Sequence, residues 1–79
     1  MDPETLETVG RALYGNFWQA EMSRALKVSD RTIRHWASGA RPVPPNVKAE
    51  LNHELSFRLS LILQAIKLLE TNQKGQTND

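Results

Sequence analysis

The side chains best equipped for chemistry fall between Gln19 and Arg41. They are Gln19, Ser29, Asp30, Arg31, Thr32, Arg34, His35 and Arg41. The set is rich in hydrogen-bonding groups and fixed positive charge. It is poor in what covalent or metal chemistry requires. Cysteine is absent, which removes disulfides and thiolates, and the two histidines, His35 and His53, cannot close a metal site alone. No carboxylate and nucleophile are arranged around His35, and no glycine-rich phosphate cradle occurs. An enzyme, a metal site and a cofactor are therefore not expected. These residues can hydrogen-bond and attract anions.

Net charge is only +1, but its distribution is uneven. Residues 1–17 set Arg11 against Asp2, Glu4 and Glu7, giving −2. Residues 18–45 set five bases against Glu21 and Asp30, giving +3, and residues 46–79 balance four bases with four acids. Positive charge thus collects in the middle third, where an element facing a nucleic-acid groove would need it. No apolar run of about 18 residues can span a bilayer. The acidic start Met1-Asp2-Pro3-Glu4 does not read as a signal peptide. With cysteine absent, a cytoplasmic protein is the expectation.

Positioning these residues falls to helices, since no segment reads as a strand. The expected class is all-α, with about four helices and a long C-terminal one. Asp2 caps a first helix with Pro3 at its first position, Leu6, Val9 and Leu13 run at helical spacing, and Gly15 stops it. Asn16 is placed to cap a second helix, with Gln19 reaching back to complete a capping box. Trp18, Met22, Ala25 and Leu26 form its inward stripe. After a tight break at Lys27-Val28, Ser29 caps a third helix carrying Ile33 and Trp36 on one face, and Gly39 ends it. Arg41 to Pro45 holds three prolines and reads as a stiff connector. The fourth helix is expected from about 45 to 69. Residues 1–70 make one domain, and 71–79 form a flexible polar tail.

Two short helices joined by a tight turn pack steeply only if a small residue sits at their approach and apolar side chains fill the angle. Counting from Gln19, Met22 is fourth, small Ser23 fifth, Leu26 eighth, Val28 tenth, Ile33 fifteenth and Trp36 eighteenth. The stretch from Trp18 to Trp36, followed by Ala-Ser-Gly-Ala-Arg-Pro-Val-Pro, resembles the helix-turn-helix of the phage repressor and Cro superfamily. With Ala12-Leu-Tyr-Gly15 ahead of it, the chain is similar to small proteobacterial regulators of that type over roughly residues 6 to 47. The resemblance implies a lambda-repressor-like bundle whose third helix enters the major groove of double-stranded DNA, usually from a dimer. It further implies a bacterial or phage-encoded transcriptional regulator associated with the nucleoid, a repressor in preference to an activator. Two positions depart from the family pattern. Lys27 stands where glycine is common because the turn takes positive φ, and Ser23 replaces the commoner alanine.

By position, the resemblance makes Asp30, Arg31, Arg34 and His35 the base-edge readers. Arg31 and Arg34 suit guanine, because the planar fork matches O6 and N7. Asp30 either accepts from a cytosine amine or holds Arg34 through an i,i+4 pair. Gln19 and Thr32 suit phosphate contacts, Ser29 joins them as the helix cap, and Arg41 would clamp the backbone at the groove edge. Tyr14, Phe17, Trp18 and Trp36 could stack on unpaired bases, but Trp18 and Trp36 are expected in the core. His53 reads as a solvated or interfacial helix residue.

In the fourth helix, Leu55, Leu59, Ile62, Ile66 and Leu69 follow the four-three spacing of a coiled-coil seam. Phe57, Leu61, Ala65 and Leu68 make a second stripe. One face is expected to close the domain core and the other to pair with a second copy, giving a homodimer on a palindromic site. The rival expectation is a protein-interaction module, an antitoxin-like adaptor whose long helix binds a foreign chain.

Overall fold

The computed structural model describes residues 1–76, with side chains through Thr71. All regular structure among the described residues is helical: α1 (Pro3–Tyr14), a 3₁₀ turn (Gly15–Phe17), α2 (Trp18–Leu26), α3 (Asp30–Ser38) and α4 (Pro45–Gln76).

Local chemistry accounts for most helix ends. Asp2 accepts from the Thr5 backbone N–H at 2.7 Å, with Pro3 in the first turn. Hydrogen bonds from Thr5 hold the Asp2 carboxyl below its ordinary range. Gly15 stops α1 at φ 81°, a value that favours glycine. Asn16, however, does not cap α2. It lies inside the 3₁₀ turn, no side chain caps α2, and Asn16 Oδ1 instead accepts from Arg11 Nη1 at 3.4 Å. The turn takes up Asn16, one of the two residues of the expected capping box, while Gln19 lies within α2. At the other end Lys27 adopts the left-handed region, φ 59°, and the Val28 N–H reaches the Ser23 carbonyl at 3.0 Å. Ser29 caps α3 by accepting from Thr32 N at 3.1 Å, and Gly39 closes it at φ 82°.

The core is assembled from every helix. Leu6 and Leu13 come from α1, Trp18 and Met22 from α2, Ile33 and Trp36 from α3, and Val47 and Leu51 from the first turns of α4. Both tryptophans are therefore interior. Burial of each such side chain contributes about 1.5–3 kcal/mol. Gly10 is needed on α1 because the Trp18 indole lies close against it: a Cβ there would stand 2.7 Å from Cδ2 of the ring.

α4 begins with the Pro44 carbonyl accepting from Val47 N at 3.0 Å and continues to Gln76, well past the expected end near Leu69. The expected tail is helical over Thr71–Gln76, and 77–79 lie outside the described residues. Thirty-two residues give a rod of about 48 Å, and the molecule measures 58 × 21 × 21 Å. Arg58 anchors the rod to the head. Its Nη1 donates to the Leu13 carbonyl, left without an intrahelical partner at the end of α1, and its guanidinium sits 5.2 Å from the Tyr14 ring centroid.

Neither expected stripe of α4 closes the core. Val47 and Leu51 do so, and Leu55, expected at a dimer interface, is half-buried against its own head. Leu59, Ile62, Ile66 and Leu69 remain exposed, as do Phe57, Leu61, Ala65 and Leu68. The helix has left the head before it reaches them. No helix among the described residues is long and apolar enough to cross a membrane.

Candidate nucleic-acid interface

The relation between α2 and α3 is fixed by three local features. Lys27 in the left-handed region reverses the chain direction within one residue. Ile33 and Trp36 turn inward to meet Met22, so the opposite face of α3 must face outward. The third is a side-chain bond. Ser23 is buried, and its single hydroxyl proton lies between the Ala20 carbonyl at 2.8 Å and Asp30 Oδ1 at 2.6 Å. The carboxylate is the stronger acceptor, so the first residue of α3 is pinned to the middle of α2. This bond revises the expectation for Asp30. Its carboxylate holds no ion pair with Arg34 and is partly engaged within the motif.

α3 presents the basic residues. Arg31 and Arg34 are three residues apart, hence on one face, and both are exposed. Arg41, just beyond the Gly39 cap, is exposed as well, its backbone N–H donating to the His35 carbonyl at 3.2 Å. Lys27 adds a fourth exposed cation at the opposite end of the helix. Ion pairing among the described residues is confined to Arg11–Glu7 at 2.8 Å and Arg24–Glu21 at 2.6 Å. The second pair withdraws Arg24 from the patch. Arg31, Arg34 and Arg41 keep their full donor capacity, with Asp30 the sole acid between Lys27 and Arg41. His35 is half-buried and follows Arg34 at the patch margin.

The hydroxyls at the start of α3 are already partly occupied. Ser29 Oγ and Thr32 Oγ1 are 2.9 Å apart, and Ser29 also accepts the Thr32 N–H. Of two hydroxyl protons one bridges the pair, which leaves one free to donate outward to an anion. Gln19 lies apart from this group, half-buried in the first turn of α2 beside a shallow groove formed by Arg11, Asn16, Phe17 and Ala20.

The fold therefore gathers Ser29, Asp30, Arg31, Thr32, Arg34 and His35 on one short helix and its cap, with Arg41 following and Gln19 on the neighbouring helix. Phe17, one of the aromatics that could stack on unpaired bases, is 80% exposed next to Gln19, a large apolar side chain at the rim of the groove beside α2. It ends the 3₁₀ turn and lies outside α2. The Ser23–Asp30 bond escaped the sequence reading; a hydroxyl at the small position, seven residues before an acidic first turn, was the available signal. Compared with known proteins, the chain matches no family model, no curated protein and no solved structure.

Proposed function

We propose that this chain is a sequence-specific double-stranded DNA-binding regulator, built as a lambda-repressor-like helix-turn-helix bundle of about four helices. In this reading α3 enters the major groove. Arg31 and Arg34 read guanine edges. Gln19, Thr32, Ser29 and Arg41 hold phosphates, and His35 contacts the groove margin. A homodimer joined through α4 presents two such helices about 34 Å apart to a palindromic site. Regulation is by repression, in the cytoplasm, with no cofactor.

One observation carries the reading. The arginines of α3 are exposed and free of intramolecular ion pairs, on a helix fixed at both ends by Lys27, the Ser23–Asp30 bond and Gly39. A preorganised donor array of this kind loses little freedom on meeting an anionic, acceptor-rich surface.

Selection of bound duplexes from a random pool, repeated at several salt concentrations, tests it. A symmetric enriched sequence is expected, with affinity falling steeply as salt rises because phosphate contacts release counterions. Purified protein that ignores duplexes in dilute buffer would refute the proposal.

The exposed apolar length of α4 favours a second reading, an adaptor that binds a foreign helix. Light scattering separates the two. A homodimer has its long helix occupied, whereas a monomer points to the foreign partner.

A further inference from the structure

Beyond Leu55, α4 has no single apolar face. At 3.6 residues per turn, the large side chains from Phe57 to Leu69 cover roughly 240° of the circumference. Residues 59–66 carry no charge at all. Leu59, Ile62, Ile66 and Leu69 follow one line, while Phe57, Leu61, Ala65 and Leu68 follow another roughly 120° round the rod. A two-stranded seam occupies a narrow stripe on each helix. Pairing through the first line alone would leave Phe57, 56% exposed, and Leu68, 63% exposed, still facing water.

The head offers a surface of matching character. α1 and the first turns of α4 diverge around an open groove of about 580 Å³, whose lining includes the apolar Val9, Ala49, Leu51 and Leu55, with Asp2 and Lys48 among its polar residues. Leu55 lines the groove and also begins the first exposed line of α4, so the two surfaces are continuous. A chain cannot fill its own groove this way, because α4 runs unbroken from Pro45 to Gln76 and carries its far half away from the head. A second copy can. It brings both halves of the contact, a groove and a rod, which is what a self-complementary two-fold interface requires.

We infer that two copies exchange their long helices. The far half of each α4 pairs with the partner's α4 through Leu59, Ile62, Ile66 and Leu69. It lays Phe57, Leu61 and Leu68 into the partner's α1–α4 groove. Eight large side chains, Phe57, Leu59, Leu61, Ile62, Leu63, Ile66, Leu68 and Leu69, are each roughly half exposed. At about 100 Å² apiece they supply about 800 Å² per copy, the share one partner buries in a stable complex. This arrangement rests on the self-association part of the proposed function and is independent of the DNA reading.

Sedimentation equilibrium and paramagnetic broadening test it together. Ala49→Arg places a long cation in the groove at an exposed position, and Leu68→Arg charges the line that faces it. Each is expected to weaken the dimer at least tenfold with helical content unchanged, while Ser60→Arg on the polar side of α4 leaves it intact. The cysteine-free chain also permits a clean label. A nitroxide on Leu68→Cys of one copy should broaden the Thr5, Val9 and Ala49 amide signals of an isotopically labelled second copy.

Wild-type dimer affinity in Ala49→Arg, or broadening confined to α4 beyond Leu55, overturns the exchange and leaves a simple seam. A four-chain mass overturns it in favour of a larger bundle. A monomeric wild type removes the self-association reading as well, and duplex selection then judges the DNA reading separately.

Discussion

Removing the Ser23 hydroxyl tests whether the α2–α3 angle is held by a side-chain bond as well as by packing. The Ser23 oxygen lies 2.6 Å from Asp30 Oδ1. A hydrogen bond to an ionised acceptor contributes about 1.5–3 kcal/mol. Asp30 is exposed, so water takes over as donor when Ser23 is truncated, which reduces the expected loss to about 1 kcal/mol. Ser23→Ala also gains a few tenths of a kcal/mol in helix propensity. Asp30→Asn loses a further 0.3–1 kcal/mol of favourable interaction between a carboxylate and the first turn of α3. Neither single value is therefore clean. A double-mutant cycle over Ser23→Ala, Asp30→Asn and their combination cancels both side effects and isolates the pair. The expected coupling is about 1 kcal/mol, read from urea unfolding followed by fluorescence of the buried Trp18 and Trp36 at one fixed protein concentration. In a domain of this size that corresponds to roughly 4–8 °C in Tm. Additivity within about 0.3 kcal/mol would show that the bond contributes nothing to the angle and that packing alone sets it.

Four further outcomes are expected. Lys27→Gly relieves the left-handed backbone at φ 59° and should stabilise the fold by about 0.5–1 kcal/mol; an unchanged unfolding midpoint would argue against strain at the turn. Gly10→Ala should destabilise by about 1–3 kcal/mol, because the added methyl meets the interior Trp18 ring, and unchanged stability would mean that the indole has room to retreat. Burial raises the Tyr14 pKa above 10.0, Glu54 adds to the rise and Arg58 opposes it. The stability linked to neutral Tyr14 is therefore complete below pH 10 and lost as pH rises through the folded-state value. Absorbance titration of this single tyrosine should show a midpoint above 10.0, and one at or below it would refute the shift. Arg34→Ala should cost about 1–3 kcal/mol in duplex affinity and relax preference at one base pair; an unchanged footprint would end its assigned role.

Most helix ends could be read from the sequence because they depend on neighbours three or four residues away. Asp2, Ser29 and Gly39 each act through one such contact. Lys27 was legible for a different reason: the residues gave a tight break at Lys27-Val28, and the resemblance to the repressor-type motif implied positive φ at that position. Asn16 misled because a polar residue after a helix-stopping glycine suits a cap and a 3₁₀ turn alike; here the turn runs from Gly15 to Phe17 and Asn16 lies in its middle. The stripes of α4 were visible, but where the helix parts from the head was not. That point depends on the width of the head, a tertiary quantity. Among the candidate site residues, exposure of Arg31 and Arg34 followed from the inward set Ile33 and Trp36, whereas the tie from Asp30 to Ser23 crosses between helices and its signal, a hydroxyl seven residues before an acidic first turn, does not by itself set the angle that brings the two together.

Arg58 is the last side chain to hold α4 before it leaves the head, through the Leu13 carbonyl and the Tyr14 ring. Everything past it behaves as a lever roughly 28 Å long. A change of aim of about 10° at that pivot would displace the tip by about 5 Å, nearly one helical turn. Under the proposed dimer, the distance between two joined heads, and with it the half-site spacing they could bridge, would depend on one guanidinium remote from Arg31 and Arg34.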